Sequence, residues 1–284
     1  MKTVFNNTTA ARWARKSGLV LAASTAAMTA TGLAAATPRP LPFTYTTETL
    51  GQGELEVEQY VDMTPAMALD ADGKPAGYLG TQFQTEFEYG ITDRLELGLY
   101  VVYVPTPSDY VGVAEMTEKT GAKQRLRYVF ADPGEWPIDV GVYGEAVEGD
   151  TEAEFEAKIL LQRRLGKLRI DANLWGEYEY DLSGPERDLV ANPTLGFTYE
   201  VTPAVHLGAE GWLRVKFPSG IDVPSPRPIE LGPVGYVGPA VMFNFGKLWW
   251  STGIYGRVTD VGRQVNPGDG FGPIWARTVI GFEL

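Results

Sequence analysis

Residues Thr85–Tyr103 read TEFEYGITDRLELGLYVVY. Phe87, Tyr89, Leu95, Leu97, Leu99, Val101 and Tyr103 hold odd positions, and Glu86, Glu88, Arg94 and Glu96 hold even ones. Successive side chains of a strand point to opposite faces. The two runs around Ile91–Arg94 therefore predict a hairpin with one apolar and one charged face.

The same unit recurs along the chain. Strands are expected at Gly53–Met63, Tyr78–Gly90, Leu95–Val104, Ala122–Ala131, Ile138–Val147 and Glu152–Gln162. Six more are expected at Leu168–Tyr180, Ala191–Val201, Val205–Phe217, Gly235–Phe245, Leu248–Val258 and Ile274–Leu284. Most are twice the usual length of a soluble strand, and a tilted membrane-crossing strand needs about 9–11 residues. The connections alternate. Ile91–Arg94, Asp132–Pro137, Arg163–Lys167, Thr202–Ala204 and Gly246–Lys247 are short, whereas Thr64–Gly77, Pro105–Gly121, Asp181–Val190, Pro218–Val234 and Thr259–Pro273 are long. Glu148–Thr151 breaks the alternation once. Short turns at one end and long loops at the other describe a membrane barrel. The expected fold is an all-β, single twelve-stranded antiparallel up-and-down transmembrane β-barrel over residues 53–284.

On its apolar parity no strand carries Asp, Glu, Lys or Arg. Tyr89, Phe130, Tyr199, Phe245 and Phe282 lie on that face beside short turns, and Tyr103, Phe155 and Phe217 lie near the other rim. Two aromatic belts are expected where a barrel crosses the two membrane interfaces. Pro193 and Pro239 oppose this reading, because proline removes a ladder donor; both are expected near outer strand ends, where a bulge could absorb them.

The first 36 residues read as a secretory signal peptide. Lys2, Arg12, Arg15 and Lys16 precede an Ala-rich apolar core, and Ala34-Ala35-Ala36 offers a cleavage site before Thr37. Removing four of the 24 basic residues and none of the 36 acidic ones leaves a net charge of −16. Such a chain lacks the basic footprint that nucleic acid requires. With no cysteine there is no disulfide, thiolate metal site or lipoprotein anchor. Thr37–Gln52, with Pro38, Pro40 and Pro42, is expected to be an irregular N-terminal lead on the periplasmic side.

Thr44-Tyr45-Thr46-Thr47-Glu48-Thr49-Leu50, Glu56-Val57-Glu58-Gln59 and Glu86-Phe87-Glu88-Tyr89-Gly90-Ile91-Thr92-Asp93-Arg94-Leu95 together resemble a family of Gram-negative outer-membrane β-barrel proteins of unassigned function. The Tyr-Gly-Ile-Thr-Asp-Arg turn also resembles that of barrels regarded as transporters of aromatic-degradation pathways. The resemblance covers roughly residues 43–104. The chain end, with Thr278, Ile280, Phe282 and Leu284 alternating, resembles the outer-membrane assembly signal, although Leu284 departs from its usual terminal aromatic. The resemblance implies an outer-membrane location and assembly by the barrel-assembly machinery; it implies no reaction. Both termini are expected in the periplasm, with outer-membrane lipid around the wall.

The opposite parity is crowded with charge. The expected pore-lining residues are Glu54, Glu56, Glu58, Glu86, Glu88, Glu96, Lys123, Arg125, Arg127, Glu154, Glu156, Lys158, Arg169, Asp171, Glu177, Glu210, Arg214, Lys216, Arg257 and Arg277. One reading is a narrow, charge-lined channel passing small polar solutes with a slight cation preference. The alternative is a structural or loop-presenting barrel whose lumen is closed by salt bridges. Catalysis is not expected: His206 is the sole histidine and has no serine beside it. Asp70-Ala71-Asp72-Gly73 lacks the later ligands of a calcium loop and reads as a β-turn. Asp260 and Asp269 are weak as metal ligands. No cofactor is expected.

Overall fold

The structure is a computed structural model that describes residues 37–113, 120–149, 152–182, 184, 187–219 and 233–284. The signal peptide expected over residues 1–36, and most of the expected Pro218–Val234 loop, lie outside the described residues.

Among the described residues, thirteen strands form one antiparallel sheet. They are β1 (Leu55–Leu69), β2 (Pro75–Thr92), β3 (Leu95–Tyr103), β4 (Gly121–Val129), β5 (Asp139–Gly149), β6 (Glu152–Leu165) and β7 (Leu168–Asp181). They continue as β8 (Arg187–Ala191), β9 (Thr194–Thr202), β10 (Val205–Ser219), β11 (Val234–Asn244), β12 (Leu248–Arg257) and β13 (Ile274–Glu283). Apart from β8 and β9, neighbours in sequence pair, and β13 pairs with β1, so among the described residues the sheet closes into a barrel with no free edge. The expected twelve crossings are present because β8 and β9 are two pieces of one crossing. Both pair with β7 on one side and β10 on the other, at one continuous register on β7.

The interruption is Pro193. It cannot donate to the ladder, yet its carbonyl accepts from Leu213 N at 3.1 Å, and Asn192 N donates to the Trp175 carbonyl at 2.9 Å. No bulge is needed, and Pro193 lies mid-crossing rather than near an outer end, because this crossing begins at Arg187 instead of Ala191. Pro239 likewise keeps register opposite Ala209. The first hairpin is also longer than expected. β1 and β2 stay paired through Leu69 and Pro75, so most of Thr64–Gly77 is strand. Its tip is the expected plain turn: Asp70 Oδ1 accepts from Asp72 N and Lys74 N, and Gly73 takes φ +76°.

Parity sorts the two faces as the hairpin predicts. Among the described residues, charges on the outward parity of the strands occur only at strand ends, at Glu148, Arg163 and Arg187. Both expected aromatic belts face outward. Charge at the membrane midplane costs about 2–4 kcal/mol, falling to about 0–1 near the interfaces. Ile159→Lys, in the middle of β6, is therefore expected to lower folding stability by about 2–4 kcal/mol in urea titrations in lipid, and Leu165→Lys, beside the turn, by about 1 or less.

Candidate functional site

The lumen is where the structure departs most from expectation. Thr37–Gln52 is irregular but does not stay outside the barrel. Arg39, Leu41, Phe43, Tyr45 and Leu50 are buried. The segment runs up inside the wall and returns to the short-turn end before β1 begins.

Every buried backbone donor needs a partner. Pro38, Pro40 and Pro42 remove three donors outright. The wall supplies partners for several of the others from inward positions of its strands. Glu210 Oε1 accepts from Phe43 N at 3.0 Å, and its Oε2 accepts from Thr44 N at 2.8 Å and Thr44 Oγ1 at 2.7 Å. Asn173 exchanges two bonds with Tyr45, accepting from its N and donating to its carbonyl. Gln162 accepts from Thr47 N at 3.2 Å, and Glu96 from Leu50 N at 2.8 Å. Arg39 reaches Glu58 at 3.6 Å and stacks over Tyr45 and Tyr60. Gly196 lets the segment approach: a Cβ there would meet Leu41 Cδ1 at 2.5 Å. The expected position of this segment in the periplasm is thus corrected. It has what the lumen demands, few backbone donors and apolar side chains.

Beside it, β2–β4 build a charge lattice. Arg125, fully buried, donates to Glu86 at 2.5 Å, Glu96 at 2.6 Å, Glu88, and Tyr100 at 3.1 Å. Arg127 donates to both Glu96 oxygens at 2.7 and 2.8 Å. Gly98 makes room for it, since a Cβ there would lie 2.6 Å from Arg125 Nε. On the other side, Trp275 and Arg277 both bond Asp62 at 2.7 Å. Phe43 packs against Trp212, Tyr255 and Trp275 in an aromatic cluster.

Of the expected pore-lining residues, those deepest in the barrel line no open path. Glu56, Glu58, Glu86, Glu88, Glu96, Arg125, Arg127, Asp171 and Glu210 are sealed against the segment or one another. Glu54 caps the Gly51 N–H at the entrance, at 2.7 Å. Arg169 pairs with Asp171 at 3.0 Å and Glu48 at 3.5 Å, and Arg257 holds the carbonyls of Thr259 and Phe271. Lys216, nearer the rim, bridges Glu179 and Asp188.

The remaining seven meet at one place. Lys123, Glu154, Glu156, Lys158, Glu177, Arg214 and Arg277 line a cleft with a cavity volume of about 50 Å³. It lies on the long-loop side of the segment, whose Phe43 and Tyr45 form its floor. Its other walls include Tyr60, Tyr100, Tyr143, Glu145, Trp175 and Trp212, which the sequence reading missed. The signal was present: each shares the parity of the charged residues on its own strand.

His206 is half-buried at the short-turn end of β10, opposite Glu200. Asp260 and Asp269 pair with Arg257 and Arg263 in the last loop.

No protein-family model matches the chain, and no curated protein matches it in sequence. Its fold is similar to that of an outer-membrane channel from Pseudomonas putida F1, at 11% identity and TM-score 0.54 over 84% of this chain and 98% of that one. It is also similar to the NanC porin, at 11% identity and TM-score 0.56 over 81% of this chain and all of the other. At such identity the likeness is one of fold: this chain is built as a closed antiparallel β-barrel of the kind those two proteins share.

Proposed function

We propose that the protein is an outer-membrane channel for small polar solutes in which residues 37–52 are the closing element. One observation carries the reading. The segment is mounted on polar side chains, Glu210, Asn173, Gln162 and Glu96, each of which water can satisfy equally well once it leaves. The wall closes through β13 and β1 without it. The likeness to a channel and a porin agrees with this use of the fold. The acidic excess of the chain supports a slight preference for cations. Lipid surrounds the apolar wall, both termini are periplasmic, and the barrel-assembly machinery inserts the chain.

A tether tests the closing role. The chain has no cysteine, so Thr47→Cys with Gln162→Cys places a single pair where Thr47 N meets Gln162. In planar bilayers the reduced protein is expected to show openings and the oxidised protein none. Silence in both states, with folding confirmed by a heat-dependent gel shift, would favour the second reading, a structural barrel closed by its salt bridges. The buried Arg125 lattice supports that reading.

A further inference from the structure

We infer that the cleft holds a binding corner for the ammonium group of a small organic cation, formed by Glu154, Glu156, Glu177 and Asn192 beside the Trp175 ring on which Lys158 rests. This names the solute class of the channel proposed above and rests on that reading for its use, although binding itself needs no conduction.

The carboxylate oxygens of Glu154, Glu156 and Glu177 lie within 4.8 Å of one another. Two of the three are matched: Lys158 pairs with Glu156 at 2.6 Å and Arg214 with Glu177 at 2.5 Å. Glu154 has no such direct partner: it is 8% exposed and, among the described residues, makes no hydrogen bond or ion pair, with Lys123 and Arg214 attracting it only at longer range. Asn192 adds an independent observation. It lines the same cleft, is also 8% exposed, and spends its amide N–H on Glu177, which leaves its Oδ1 buried without a donor. A buried acceptor without a donor costs free energy, and so do three crowded carboxylates. A cation carrying N–H groups relieves both.

The protein already shows how its rings receive such a group. The Lys158 ammonium sits 3.8 Å from the Trp175 ring centroid and 3.9 Å from that of Tyr143. Aromatic faces attract cations, most strongly where water is excluded. With Lys158 and Arg214 paired to two of the carboxylates and Lys123 lining the same cleft, the corner suits a single positive charge beside an apolar body better than a doubly charged metal ion.

Titration calorimetry of the folded protein in a nonionic detergent tests this, with benzylammonium as the probe, benzyl alcohol as its neutral counterpart and calcium chloride as the inorganic cation. Benzylammonium is expected to bind saturably, benzyl alcohol is not, and calcium is not expected to displace it. Glu154→Gln should weaken benzylammonium binding at least about tenfold, as loss of a charged hydrogen-bond partner does. Asn192→Ala, which leaves every ion pair intact, should weaken it severalfold and serves if the first variant does not fold. Equal binding of the alcohol, displacement by calcium, unchanged affinity in the variants, or no binding would each overturn the assignment. A barrel that binds benzylammonium but never conducts keeps this site and removes the channel; one that conducts without binding does the reverse.

Discussion

Replacing Arg125 by methionine is expected to lower the stability of the barrel by about 3–5 kcal/mol, the cost typical of removing one partner from a buried ion pair. The side chain is fully buried and serves Glu86, Glu88 and Glu96 together. Methionine fills much of its volume but offers no donor. Glu88 then loses its ion pair, while Glu96 keeps Arg127. Lysine keeps the charge yet cannot present the planar fork that meets three carboxylates, so Arg125→Lys is expected to fall between the two. The measurement is the urea midpoint of the protein refolded in lipid, read by the heat-dependent gel shift. Adding Glu88→Gln to Arg125→Met should recover part of the loss, because the two residues share one network. An unchanged midpoint for Arg125→Met would mean that water reaches this lattice and screens it.

The lattice was half legible in the sequence. Glu86, Glu88 and Glu96 on one parity, with Arg125 and Arg127 on the next strand, can only face the same interior once the apolar parity is given to lipid. A period of two fixes that assignment along a whole strand, which is why Phe87, Leu99, Phe155 and Ile159 all face outward as expected. Strand ends were less legible. Thr64–Leu69 has mixed character, and only its pairing with Pro75–Gly80 shows that the ladder continues.

The lumen filling was illegible for a different reason. Pro38–Gln52 has no sustained period beyond the short run Phe43–Thr46, and its partners Gln162, Asn173 and Glu210 are spread over later strands. Little local in the segment marks it as buried. Two signs were available. Three prolines reduce the number of donors that burial would strand, and Phe43 and Tyr45 alternate with threonines just as a two-sided insert would. The inward Tyr60, Tyr100, Tyr143 and Trp175 pointed the same way, since an interior that is to stay open to water has little use for large rings.

Deleting residues 38–50 is the change expected to alter conduction most. The wall does not depend on the segment for closure, so the shortened barrel should still insert and show the heat-dependent gel shift. Glu58, Glu96, Glu210, Asn173 and Gln162 would then face water, their natural alternative partner, and the interior would gain the volume now held by Leu41, Phe43, Tyr45 and Leu50. The expected result is frequent, long openings where the intact protein shows rare or short ones, with a reversal potential shifted toward cations because the unmasked groups are mostly carboxylates. Glu210→Gln should lie between. Its amide oxygen can still accept from Phe43 or Thr44, but no longer through two charged oxygens at once, and Tyr255 loses its 2.6 Å bond to the carboxylate. Graded opening across the intact chain, Glu210→Gln and the deletion would tie conduction to how firmly the segment is held. A deletion variant that folds and conducts no more than the intact chain would place the barrier in the charge lattice instead, and the Arg125 variants would then be the ones to open it.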